Sequence, residues 1–288
     1  MIARMALLLS VAVLCLTSAA CAPKDEDSGA ENPTTSGGDA CADPNTVKSD
    51  VLTIATDDPA FDPWFSDNDP SNGKGFESAV AYAVAKEMGF DRNAVTWTTE
   101  PFNASYQPGP KSFDFDINQI SINEKRAQAV TFSDGYYSAA QSIITLKDSP
   151  YADATSLADF ADATLGAQIG TTSLDAITDT IKTSAQPQVF DDTNLAKNAL
   201  QNGHIDGIVV DLPTAFYITA VEIPKSTIVG QFQPEAGAQE QFGLLFEKGN
   251  PLVNCANQAL ATLKSTGVLA DLEQQWLSEA VDAPRLDS

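Results

Sequence analysis

Residues 113–137 read FDFDINQISINEKRAQAVTFSDGYY, and the architecture is read outward from them. Residues 113–122 read as a strand, and residues 125–129 as a short helix. Upstream, residues 51–56 alternate with β-branched side chains and read as a strand. Pro59, Pro63, Pro70, Asn72 and Gly73 then forbid regular structure. From Phe76 the period changes. Phe76, Val80, Val84 and Met88 recur every four residues on one helix face, and Gly89 stands where a helix C-terminus wants glycine. A strand follows at 95–98, then a loop with Pro101, Pro108, Gly109 and Pro110.

Downstream of a strand at 142–146 a similar cycle repeats. It runs through a short helix at 157–160, a strand at 164–167 and a helix after Gly170 with Leu174, Ile177 and Ile181 on one face. A strand at 189–190, a helix at 195–200 and a buried strand at 205–210 complete it. Asp211 and Pro213 end that last strand. A strand at 242–246 and helices at 253–264 and 268–276 close the chain. Alternating strands and helices predict an α/β fold with mostly parallel sheets. Two cycles predict two lobes, with ligand at the C-terminal ends of the strands.

The N-terminus adds a separate layer. Arg4 precedes an apolar run of about 11 residues, within the range of a signal-peptide core and too short to span a bilayer. Ser18, Ala19 and Ala20 then precede Cys21. Small residues before a cysteine resemble a lipobox, which predicts lipidation at Cys21; the alternative is an ordinary cleaved signal. Residues 22–45 are rich in Ser, Gly, Asp, Glu, Pro and Thr, and predict a flexible tether. The expected division is 1–21 signal and lipid site, 22–45 tether, 46–141 plus 242–288 lobe 1, and 142–241 lobe 2.

Lys plus Arg number 16 against 39 Asp plus Glu, a formal charge of −23. Such a chain is repelled by nucleic acid and by anionic lipid, so membrane attachment is expected through the lipid alone. Of four cysteines, Cys15 leaves with the signal and Cys21 is the lipid site. Cys41 and Cys255 remain. Outside the cell such a pair is expected as a disulfide, the alternative being two free thiols. His204 is the one histidine, too few ligands for a zinc site, and no cofactor or metal is expected.

Several motifs, in order, resemble the polar amino acid-binding family of bacterial extracellular solute-binding proteins (family 3). Gly75-Phe76-Glu77 resembles its G-F-[DE]. The run from Ile120 to Arg126, followed by Val130 to Tyr137, resembles M-T-I-T-P-E-R…V-D-F-S-D-P-Y-Y. Gly166 to Thr172 resembles G-V-Q-x-G-T-T, and Leu200 to Asp211 resembles L-x-x-G-R-V-D-A-V-V-V-D. Phe242-Gly243, Lys248 to Leu252 and the helix from Gly267 to Trp276 complete the series. The resemblance implies a two-lobed periplasmic-binding-protein fold of type II. Two crossing strands, near 140–143 and 240–243, would form its hinge, and the lobes would close on a ligand.

It also implies the roles of the cleft residues. A zwitterion leaves water only when both charges find partners. Arg126 is the candidate for the carboxylate, because guanidinium offers parallel donors. Thr171 and Thr172 open a helix beside it. Asp211 is the candidate partner of the amino group, with Ser121 and Asn118 at the matching strand end. Phe61 and Phe102, with Trp64, are candidate walls, and Asp58 or its neighbour Asp57 a candidate acid for a ligand side chain. The segment TDDPAFDPWF (56–65) is longer than the family's T-D-x-x-Y-P-P-F, which leaves its register open.

The resemblance implies binding without catalysis: a monomer that captures an amino-acid-like molecule and delivers it to the membrane subunits of an ABC transporter. An enzyme on the same scaffold, resembling cyclohexadienyl dehydratase, would need a pocket acid of raised pKa. A sensory module would be expected to continue into a membrane span and signalling domain.

Overall fold

The computed structural model describes residues 41, 44–234, 240–277 and 283–287. The expected signal, the Cys21 lipid site and all but the end of the tether lie outside these residues.

The first lobe is built on a five-stranded sheet. β1 (Leu52–Thr56) is buried along its whole length. A proline-rich loop holding two cis peptides, Asp58–Pro59 and Asp62–Pro63, leads to α1 (Phe76–Glu87). Gly75 makes that entry possible. Its φ is +92°, and a β-carbon there would collide with the carbonyl of Trp64. β2 (Val95–Thr99), α2 (Phe102–Ser105), β3 (Phe115–Asp116), α3 (Glu124–Ala127) and β4 (Val130–Ala139) follow. The expected ten-residue strand at 113–122 shrinks to two residues. Gln119 adopts φ +47°, which no strand tolerates, and the chain turns there towards the cleft.

Ala140 alone separates β4 from β5 (Gln141–Leu146), which belongs to a second sheet. That sheet gathers β6 (Leu165–Gln168), β7 (Gln188–Phe190), β8 (Gly207–Asp211) and β9 (Ser226–Phe232). Its helices are α4 (Thr172–Ala176), α5 (Thr193–Gln201) and α6 (Leu212–Tyr217). α4 and α6 each run on into one π-helical stretch, Ile177–Ile181 and Ile218–Glu222. β10 (Glu240–Glu247) then returns to the first sheet, followed by α7 (Leu252–Ser265) and α8 (Val268–Leu277), which pack against α1.

The sheet orders are β2-β1-β3-β10-β4 and β7-β6-β8-β5-β9. Neither is mostly parallel. Strands joined through helices run parallel (β1 with β2 and β3; β6 with β7 and β8), while the strands that pass between lobes pair antiparallel. The expected crossings at 140–143 and 240–243 fall at β4–β5 and at the start of β10.

The C-terminal residues require a correction. Residues 283–287 do not stay with the first lobe. Gln231 and Leu286 exchange backbone bonds with Pro284 and Gln231 along the edge strand β9, and Leu286 packs in the second core. An edge strand offers unpaired N–H and C=O groups, and this tail covers them. The Cα atoms of Cys41, at the start of the fold, and Cys255, on α7, lie 4.9 Å apart, within disulfide reach. No helix among the described residues is long and apolar enough to cross a membrane.

Candidate functional site

The turn after β3 delivers Arg126 into the cleft. Asn123 caps α3 by accepting the Arg126 N–H, which fixes the helix and its arginine together. Arg126 is only 6% exposed. Its Nη1 donates to the Ser121 carbonyl at 2.8 Å, and its Nη2 donates across the cleft to the Gly170 carbonyl at 2.9 Å. The guanidinium carbon lies 4.8 Å from the centre of the Tyr106 ring and 5.4 Å from that of Phe102. Both rings carry negative faces towards the cation. Burial pulls the guanidinium's pKa down, while Tyr106, Glu240, Asp175 and Asp211 oppose that pull. Among the described residues no carboxylate pairs with it; the one ion pair found is Lys197 with Glu222.

Gly170 explains why the lobes approach so closely here. Its φ is +76°, and a β-carbon would collide with the Tyr106 hydroxyl, which donates to the Gly170 carbonyl at 3.2 Å. Beside it, the Ser121 and Thr172 hydroxyls meet at 3.2 Å, one from each lobe. Thr171 is differently occupied. Its oxygen accepts the Leu174 N–H and its hydroxyl donates to the Gln168 carbonyl, so it serves as the N-cap of α4.

Asp211 ends β8 beside the cleft, and one oxygen accepts from Gln141 Nε2 at 2.8 Å. Burial, then Glu240, pushes its carboxyl well above the usual range. Asn118 is 8% exposed, and its amide nitrogen has no hydrogen-bond partner among the described residues. Phe102 backs Arg126. Phe61 faces Lys197 of the second lobe, whose ammonium lies 5.3 Å from the ring centre and is clamped by both oxygens of Glu222.

In the proline-rich loop, Asp58 is exposed and accepts from the Asn68 side chain. Asp57 is the half-buried acid. It accepts the N–H groups of Asp58 and Phe102, and burial followed by Asp58 and Asp192 raises its pKa. Trp64 is fully buried among Phe76, Tyr137 and Phe242, and its Nε1 donates to Thr214 Oγ1 of the second lobe at 2.8 Å.

Sequence reasoning missed Tyr106, Gln141, Glu240 and Lys197. None carries a local motif: each matters through a partner far along the chain. A cavity of about 650 Å³ opens beside the hydroxyl contact, and Ser121, Thr172 and Glu240 line it.

The sequence pattern of the bacterial extracellular solute-binding proteins, family 3, matches residues 52–279. The L-cystine-binding protein TcyJ of Escherichia coli (strain K12) is 24% identical over 239 residues, covering 82% of this chain and 86% of that protein. The solved arginine-, lysine-, histidine-binding protein ArtJ from Geobacillus stearothermophilus superposes with a TM-score of 0.66 at 25% identity, covering 81% of this chain and 96% of that one. The ancestral amino acid-binding protein AncCDT-1, described as a precursor of cyclohexadienyl dehydratase, superposes at 0.65 with 27% identity, covering 79% and 95%. With this match over most of its length and a two-lobed type II architecture, the chain belongs to the bacterial extracellular solute-binding proteins, family 3.

Proposed function

We propose that this protein is the extracytoplasmic substrate-binding component of an ABC importer, and that its lobes close over an amino acid or similar small zwitterion. Relatives that bind cystine, arginine, glutamine and histidine support the class. The observation that carries the reading is Arg126: a buried guanidinium in the cleft with no carboxylate of its own among the described residues. Such a charge is costly without an anion, and a ligand carboxylate supplies one. Thr172 and Ser121 add hydroxyl donors, and Asp211 takes the amino group. Phe61 and Phe102 wall the site, and Asn118 offers its unpartnered amide. We further read Cys41–Cys255 as oxidised, as expected outside the cell, and Cys21 as the lipid anchor.

A second reading, a dehydratase on this scaffold, draws on Asp211, whose raised pKa suits a general acid. Asp211 is better matched to an ammonium group, and binding without turnover is preferred.

A thermal-shift panel on ligand-stripped protein tests the choice. The panel holds the twenty amino acids, ornithine, citrulline, opines, betaines and prephenate. A ligand at 100 times its Kd adds about 2.7 kcal/mol. A clear amino-acid shift without turnover supports capture. Turnover of prephenate establishes the enzyme, and no shift with any amino acid defeats the zwitterion clamp.

A further inference from the structure

We propose that Glu240 is a second ligand-binding carboxylate beside Asp211, so that the cleft selects an amino acid carrying two positively charged nitrogens. This rests on the reading of the cleft as an amino-acid site.

The geometry begins with Gln141, wholly buried at the first crossing between lobes. Its amide nitrogen has two hydrogens. It donates to Asp211 Oδ1 at 2.8 Å and to Glu240 Oε2 at 2.9 Å. Its oxygen accepts from Ser173 at 2.6 Å. Both N–H donors of Gln141 are therefore used: it orients two carboxyl groups towards one place and neutralises neither.

The other oxygen of Glu240 is buried and has no hydrogen-bond partner among the described residues. A buried carboxylate oxygen without a donor is costly until a cation or donor reaches it. Glu240 also lines the 650 Å³ cavity beside Ser121 and Thr172, a space that neither Arg126 nor Asp211 lines. Among the described residues that line it, Lys125 is the one cation, against Glu124, Asp175, Asp179 and Glu240.

Matching charges then leaves a remainder. The ligand carboxylate meets Arg126, and the α-ammonium meets Asp211. Glu240 is left, and a second cationic group on the ligand completes the set. Burial, then the neighbouring Glu240, hold up the Asp211 carboxyl.

The test is isothermal titration of the ligand-stripped full chain with L-arginine, L-lysine and L-cystine, and with L-citrulline and L-glutamine as probes with one cationic group. The tightest probe should come from the first three, at least tenfold ahead of the other two. In Glu240→Gln, which keeps an acceptor for Gln141, that preference should fall at least tenfold; Glu240→Asp should retain part of it. Matched unliganded melting temperatures show that the variants fold. Tightest binding by citrulline or glutamine overturns the proposal and leaves the amino-acid reading standing. A preference that survives Glu240→Gln places the second cation elsewhere, at Asp57 for instance, and also overturns it. No binding by any of the five to the unmodified chain overturns the proposal; the amino-acid reading falls with it only if the wider thermal-shift panel also gives no amino-acid hit.

Discussion

Arg126 of the first lobe donates to the backbone carbonyl of Gly170 in the second, across 2.9 Å. The residue expected to hold the ligand's carboxylate is thus also a strut between the lobes. Arg126→Ala removes both, and should weaken ligand binding by roughly 2–5 kcal/mol, about 30-fold to several thousand-fold in Kd. Arg126→Lys should recover little, because an ammonium cannot reproduce the parallel donors. Titration calorimetry checks both; unchanged affinity in Arg126→Ala would remove the carboxylate assignment.

The Trp64–Thr214 hydrogen bond also spans the lobes. Thr214→Val keeps the volume and removes the acceptor, leaving the indole N–H unpaired whenever the lobes touch. An unpaired buried donor costs about 1–3 kcal/mol. That cost falls on the closed form alone, so Kd should rise by roughly 5- to 150-fold with little change in unfolding temperature. X-ray scattering should show a larger radius of gyration without ligand. Unchanged scattering and affinity would mean this bond does not bias closure.

Much of this fold was legible because helix faces and buried strands repeat locally. The period from Phe76 to Met88 and the apolar run ending at Asp211 need no distant partner to be read. The site was legible where it rests on a short ordered motif, as at Arg126 and Gly170-Thr171-Thr172. It was illegible where position depends on how two distant segments meet. Gln141 and Glu240 are 99 residues apart, yet share a hydrogen bond. Asp57 and Asp58 are adjacent and chemically alike, yet one is half-buried while the other is exposed and held by Asn68, a difference set by a partner ten residues on. The tail at 283–287 joins the second lobe through backbone bonds and one leucine, a pattern too sparse to read in advance.

The Cys41–Cys255 link closes a loop with a sequence separation of 214. In the chain-entropy model a loop of that size contributes about 5.4 kcal/mol by restricting the unfolded chain. At about 2–4 °C per kcal/mol for a domain of this size, reduction should lower the melting temperature by roughly 10–20 °C. Calorimetry with and without reductant measures it, with Cys41→Ser/Cys255→Ser as the matched variant. An unmoved transition would indicate free thiols.

Glu77 sets a pH dependence of opposite sign to the usual surface acid. It is fully buried, and it accepts from the Tyr136 hydroxyl and from both the backbone and the side-chain amide of Gln119. Those donors favour the ionised form, but burial outweighs them and raises the pKa from 4.5 to about 7. A carboxyl with a raised native pKa binds its proton more tightly when folded. Its contribution is therefore full below pH 4.5 and is lost as pH rises through about 7. At about 1.4 kcal/mol per unit, the interval is worth about 3 kcal/mol. Asp116 is also fully buried and raised, and it slopes the same way, so the comparison must be with a variant. Glu77→Gln keeps the acceptor for Tyr136 and the Gln119 N–H, and a flipped Gln119 amide can accept from the new nitrogen. Urea unfolding from pH 5 to pH 8 should show the unmodified protein losing stability relative to Glu77→Gln, with most of the loss complete by pH 7. Parallel curves would mean that Glu77 is ionised throughout, and that its three donors outweigh its burial.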